Sequence, residues 1–170
     1  MADVTLDDAE RRILIALQRD SSLPLTELAR EAGLSATPCW RRVQRLRQAG
    51  VIKGEVALVD RRKIGLNAQV FAQVRLNAHG RQNLEQFSDR IREFPEVLDC
   101  YVMMGPIDFL LRVVTEDIDA YERFFFERLS RVPGIQEINS MVALSEIKAT
   151  TALPMTLAAG ADSARRSGAA

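Results

Sequence analysis

Apolar residues recur at helical spacing three times within the first fifty positions. Ile13, Leu14 and Leu17 share one face of a stretch that opens at Asp7 and ends at Asp20-Ser21-Ser22. Glu10 lies three residues after Asp7, the spacing of a capping box. Pro24 suits the first turn of a second, short helix that runs to about Ala32 and buries Leu25, Leu28 and Ala29. Gly33 follows where a glycine lets the chain turn through the left-handed region. Leu34 is apolar within that turn, and Ser35 is a natural N-cap for a third helix. Pro38 falls in the first turn of this helix, where its missing N–H costs nothing. The third helix reaches about Ala49 and stops at Gly50. Helix, tight glycine turn, helix is the helix-turn-helix pattern. Val51–Val59 then reads as extended, a small hairpin or wing around Gly54. Asp60–Asn67 is charged and ends in Gly and Asn, a linker composition.

Past the linker the period changes from 3.6 to 2. Across Ala68–Leu76, Val70, Ala72, Val74 and Leu76 alternate with Gln69, Phe71, Gln73 and Arg75, which predicts a strand. Leu84, Phe87, Ile91 and Phe94 predict a helix over Arg81–Phe94, ended by Pro95. Val97–Met104 and Phe109–Val114 are strands joined by the turn Gly105-Pro106-Ile107-Asp108. A helix follows over Asp117–Val132, burying Ile118, Tyr121, Phe124, Phe125 and Leu129, and Pro133-Gly134 closes it. Ile135–Lys148 is a fourth, long strand. The order βαββαβ is the ferredoxin-like arrangement, with helices on one face of an antiparallel sheet. The other face is left to bury, which predicts at least a dimer. The fold class is therefore α+β. A winged helix-turn-helix domain spans residues 1–60, a linker 61–67, a sensing and oligomerisation domain 68–154, and a disordered tail rich in Ala, Gly and Ser 155–170.

Charge sharpens this division. The whole chain is neutral, with 23 basic and 23 acidic residues. However, residues 1–63 hold 12 basic and 9 acidic side chains, against 9 and 13 in residues 64–152. No acidic residue stands between Glu31 and Glu55, a window that holds Arg41, Arg42, Arg45, Arg47 and Lys53. In the third helix Val43 and Leu46 point to the core, leaving Thr37, Trp40, Arg41, Gln44 and Arg45 outside. A helix with such a face suits the major groove, where Arg reads guanine and Gln reads adenine. Ser35, Ala36 and Thr37, at the end that enters deepest, are candidates for base-edge or phosphate contacts. Arg42 and Lys53 complete the candidate DNA-binding set. Trp40 either stacks on a backbone sugar or packs against the first helix.

Other chemistry is sparse. Cys39 and Cys100 have no partner at metal-ligand spacing, so neither a zinc site nor any cofactor is expected. A thiol switch at Cys39 would rest on nearby arginines lowering its pKa. His79, the only histidine, reads as a surface loop residue. No nucleophile–base pair or phosphate loop points to an enzyme. The N-terminus has no basic and apolar leader, and no apolar run spans a bilayer, so a cytoplasmic protein without a membrane partner is expected.

The chain resembles the Lrp/AsnC (feast/famine) regulators. The matching residues are Leu6-Asp7 with Ile13-Leu14, Glu27-Leu28-Ala29, Gly33-Leu34-Ser35, Thr37-Pro38, Arg42-Val43, Leu46 and Gly50-Val51-Ile52. In the second half they are Pro95-Glu96-Val97, Gly105 with Asp108, Tyr121, Val132-Pro133-Gly134 and Ile147-Lys148. Thr37-Pro38-Cys39-Trp40 and Lys53–Leu58 are similar to a cysteine-responsive subgroup. The resemblance implies a sequence-specific transcriptional regulator of amino-acid metabolism that binds double-stranded DNA. It also implies an amino-acid-sensing (RAM/ACT-like) second domain, dimers formed through its sheets, and octamers. The effector, an amino acid, would be held by Gly105, Pro106, Ile107 and Asp108, with Asn139, Ser140 and Met141 lining the pocket. Pro106 stands where the family often has an acidic residue, which removes a charge and an N–H donor. That departure supports an alternative, a ligand-independent architectural protein that wraps DNA.

Overall fold

Three helices form where the apolar spacing places them: α1 (Asp8–Arg19), α2 (Leu25–Ala32) and α3 (Ala36–Gln48). The computed structural model describes residues 4–82 and 84–156. At the start of α1 the capping box closes in both directions. The Glu10 amide donates to Asp7 Oδ1 at 2.7 Å, and the Asp7 amide donates to Glu10 Oε2 at 3.1 Å. Pro24 is the N-cap of α2 and lies just outside its first turn. Gly33 caps its far end at φ 68°, and the Arg12 Nε of α1 donates to the Ala32 carbonyl at 3.0 Å. Ile13, Ala16, Ala32, Cys39 and Leu46 are fully enclosed between the three helices. Leu25, expected inside, stays exposed because it sits at the open first turn of α2.

The hairpin expected over Val51–Val59 does not form within the chain. The Val51 and Ile52 amides fold back onto the Leu46 carbonyl, at 2.9 and 3.2 Å, and both side chains pack on the helical core. Residues 53–59 then run exposed without strand pairing. Arg61–Gly65 makes a turn, fastened by Arg61 Nη1 donating to the carbonyls of Leu66 and Asn67 at 2.8 and 3.0 Å.

The sheet is assembled from β1 (Ala68–Leu76), β2 (Val97–Val102), β3 (Phe109–Thr115) and β4 (Ile135–Val142), in the order β2-β3-β1-β4 and all antiparallel. Against it lie α4 (Ala78–Gln82), α5 (Leu84–Arg92) and α6 (Ile118–Glu127), with a 3₁₀ turn at Leu129–Arg131. Val70, Ala72, Val74 and Leu76 of β1 are completely buried, as the alternation requires. They meet Phe87, Phe109, Phe124 and Leu129, with the Phe87 and Phe109 ring centroids 4.4 Å apart. Ile118 and Leu84, expected inside, are exposed near helix starts. Arg128 lies over the Phe94 ring at 4.6 Å and donates to Glu96 at 2.5 Å.

The chain divides into two compact units. Among the described residues, one comprises Val4–Ala57 and Lys148–Thr156; the other is Leu58–Ile147. Thus 148–154, expected with the second domain, cluster with the helical unit. There Gln18 Oε1 accepts from the Leu153 amide at 2.6 Å, and Met155 packs on the helical core rather than starting a tail. The expected tail beyond residue 156 and the His79 side chain lie outside the described residues.

Candidate nucleic-acid interface and effector site

The third helix presents its candidate residues unevenly. Ser35, at its N-cap, makes no side-chain cap bond, and with Ala36 and Thr37 it is exposed, so the first turn is open to an incoming oxygen. Trp40 is 53 % exposed and therefore does not pack beneath α1. Arg41 is exposed with no ion-pair partner among the described residues, Gln44 is half-buried, and Lys53 is exposed beyond the helix. Val43 and Leu46 face inward.

The remaining arginines are already engaged. Arg45 donates from Nε to Glu10 Oε1 at 2.7 Å and from Nη2 to Glu10 Oε2 at 2.5 Å. Arg42 donates from Nε and Nη2 to Asp7 Oδ2, both at 3.2 Å. Arg47 pairs with Glu55 at 2.6 Å. The window free of acids in the sequence is therefore supplied with acids by the fold. Asp7 and Glu10 were readable only as an α1 cap. The signal that marks them is a matched spacing: residues 7 and 10 on one helix, 42 and 45 on the other. Thr5, Asp7, Glu10, Arg41, Arg42 and Arg45 line an open cavity of about 480 Å³.

Cys39 corrects an expectation. Its side chain is buried, and burial raises the thiol pKa against the opposing pull of Arg42. The arginines do not activate it.

On the second unit, the loop before β3 is anchored to β1. Asp108 Oδ2 accepts from the Leu76 amide at 2.7 Å, the Asp108 amide donates to the Val74 carbonyl at 2.9 Å, and its carbonyl accepts from Met103. Gly105, at φ 145°, makes the preceding bend, with Pro106 and Ile107 between. Asn139, Ser140 and Met141 lie opposite Gln73, Ala72 and Phe71. Alternation therefore separates them: Asn139 and Met141 share one face, while Ser140 turns to the helices. There the Ser140 and Tyr121 hydroxyls are 2.5 Å apart. Burial raises the pKa of Tyr121, a residue of the sheet–helix core that the sequence does not mark as a partner of Ser140. The Gly105–Asp108 loop and Asn139 flank the same end of β1, whereas Met141 lies further along it. None of the seven candidate effector residues lines the cavity at the start of α1. A cavity of about 410 Å³ lies elsewhere, beside α6, between Leu66, Glu96, Thr115, Arg123 and Arg128. Among the described residues no cluster of potential metal ligands occurs, and no helix is long and apolar enough to cross a membrane.

Comparison with known proteins gives two family matches in the order of the two units. The winged helix-turn-helix DNA-binding family matches residues 6–53, and the Lrp/AsnC ligand-binding domain matches residues 69–153. The chain belongs to the Lrp/AsnC family. It is a DNA-binding transcription regulator of that family and not an enzyme. Among curated Lrp/AsnC relatives, the DNA-binding transcriptional activator DecR of Escherichia coli (strain K12) is 38 % identical over 150 residues, covering 88 % of this chain and 99 % of the relative. An AsnC family regulator from Agrobacterium tumefaciens superposes with a TM-score of 0.84 at 43 % identity, over 88 % of this chain and 97 % of that one. A Neisseria meningitidis transcriptional regulator, solved as an L-methionine complex, gives a TM-score of 0.85 at 34 % identity, over 89 % and 97 %.

Proposed function

We propose that this Lrp/AsnC protein binds operator DNA through the outer face of α3 and changes its assembly or DNA affinity when an amino acid occupies the sheet end marked by Gly105–Asp108. The observation that carries the first part is the exposed Arg41, without an ion-pair partner among the described residues, beside Thr37, Trp40 and Gln44 on the second helix of a helix-turn-helix. Ser35 and Ala36 add contacts at the helix start and Lys53 a contact beyond its end, while Arg42 and Arg45 are engaged by Asp7 and Glu10. The ligand part is supported by the match to the family's ligand-binding domain and by the methionine complex of the Neisseria relative.

In this reading the protein is cytoplasmic and at least dimeric, with an octamer as the fuller assembly. Leu98, Tyr101, Val102, Met141 and Val142 are all exposed in a single chain, more apolar sheet surface than a monomer ordinarily leaves in water. Association of chains would also bring other residues over the Gly105–Asp108 loop. The architectural reading draws on Pro106 and on Asp108, whose carboxylate already accepts the Leu76 amide.

Each part has its own experiment. Binding to upstream duplexes across a salt series gives a negative slope of log K on log salt, and Arg41→Ala reduces it by about 0.9 for one lost phosphate contact. A thermal-shift and sedimentation screen of the twenty amino acids, methionine and cysteine included, finds one that raises the melting temperature and alters oligomer size. No shift with any of them favours the architectural reading.

A further inference from the structure

The four carboxylate oxygens of Asp7 and Glu10, at the start of α1, are all in use. Asp7 Oδ1 accepts the Glu10 amide and Oδ2 accepts Arg42. Glu10 Oε1 accepts Arg45 Nε, and Oε2 accepts both the Asp7 amide and Arg45 Nη2. Each carboxylate therefore caps its own helix and grips the recognition helix. The Glu10 side chain is only 2 % exposed, so its charge has no water to turn to and depends on Arg45. The grip is bidentate: Arg45 spends one edge of its guanidinium, Nε and Nη2, on Glu10, and its Nη2 also donates to the Thr5 carbonyl at 3.2 Å. Arg42 turns the same edge to Asp7.

We propose that Asp7 and Glu10 hold Arg42 and Arg45 off the DNA backbone, as positioning residues for α3, and so leave Arg41 as the arginine of this face that meets phosphate, with Gln44 and the first turn of α3 to read the operator. This rests on the DNA-binding reading above. An arginine free to meet phosphate adds affinity for every sequence alike, through counterion release. Two arginines withdrawn in this way lower binding to unrelated DNA while fixing the angle and register of the helix that carries the sequence contacts. Specificity, the ratio of operator to unrelated binding, gains on both counts.

The test is a salt series of binding constants for the full chain. It uses an operator selected from random duplexes by the wild-type protein, and a scrambled duplex of equal length. Arg41→Ala should lose about 0.9 of slope. Arg45→Gln should keep the wild-type slope and lose operator affinity about tenfold, with scrambled binding unchanged. Glu10→Gln keeps the shape and the cap but releases Arg45; its slope should steepen, scrambled binding should rise, and the operator ratio should fall about tenfold. The double variant Glu10→Gln/Arg45→Gln should return the slope to wild type. If either single variant does not fold, the double variant, which removes both charges, decides: a slope shallower than wild type by as much as that of Arg41→Ala makes Arg45 a phosphate contact. An Arg45→Gln slope shallower by as much as that of Arg41→Ala makes Arg45 a phosphate contact and overturns the proposal alone. A wild-type chain that binds no duplex overturns the DNA-binding reading and this one with it.

Discussion

Burial pushes the Asp7 carboxyl up, but the Glu10 amide and the Arg42 guanidinium outweigh it and hold the group below its ordinary 3.8. The sign of the consequence follows from linkage. A depressed carboxylate stabilises the fold above its unfolded value and loses that contribution as pH falls through its folded value. Asp7→Asn keeps a side chain that caps well and removes the charge. At pH 6 the variant should be less stable by roughly 0.5 kcal/mol, a small figure because the pair is half-exposed and screened. Below about pH 3.8 the difference should shrink toward zero, as urea midpoints at the two pH values would register. A constant gap across pH would mean that the charge is irrelevant and only the cap matters. The capping box was legible in the sequence because its partners are three residues apart. The Asp7–Arg42 and Glu10–Arg45 pairs were not, because each spans 35 positions and is brought together only when α1 packs on α3. The same distance hid the neutralisation of a helix whose local sequence reads as strongly basic. Cys39 failed for a related reason: proximity to arginines was visible in the sequence, whereas burial, which outweighs them, was not.

At the scale of elements, β1 was legible to its ends because a clean alternation with one wholly buried face permits one register. β4 was not. Its apolar residues continue through Leu144 and Ile147, yet both are 93 % exposed, because β1 begins at Ala68 and offers nothing to pair beyond the bond from the Ala143 amide to the Gln69 carbonyl. Strand length is set by the partner as much as by the strand's own composition. The start of β4 has its own constraint. Gly134, at φ 90°, crosses α4 at Gly80 so closely that a Cβ on Gly80 would lie 2.5 Å from the Gly134 carbonyl oxygen, and one on Gly134 would lie 2.6 Å from the Gly80 Cα. The Asn77 amide donates to that same carbonyl at 2.9 Å, which leaves the backbone little room to yield. Gly134→Ala meets both a left-handed φ and a backbone clash. It should cost about 3 kcal/mol, combining roughly 1 kcal/mol for the dihedral with the usual overpacking penalty. Urea denaturation of the purified variant measures it; a loss below about 1 kcal/mol would show that α4 moves aside freely.

The whole molecule carries two separate apolar cores, one among α1, α2 and α3 and one between the sheet and its helices. The chain does not divide between them in sequence order, because the described residues from Lys148 to Thr156 cluster with the helical unit. A boundary of this kind leaves no mark in composition: Ala149–Leu153 reads as an ordinary polar end to the sensing domain until Leu153 is found bonded through both N–H and carbonyl to Gln18, 135 positions away. The consequence is that truncation after Ile147 should weaken the DNA-binding unit and spare the sensing unit, the reverse of what linear order implies. Loss of the Gln18 bonds and of Met155 packing is worth about 1–2 kcal/mol, which in a unit this small lowers the melting temperature by roughly 5–10 °C. The chain carries its own reporters. Trp40, the single tryptophan, lies in the helical unit, and Tyr101 and Tyr121, the two tyrosines, lie in the other. Tryptophan emission should therefore report an earlier transition in the truncated chain. Tyrosine emission, followed in a Trp40→Phe background, should melt as it does at full length. A truncation that moves the tyrosine transition and leaves the tryptophan one in place would assign the segment to the sensing unit after all.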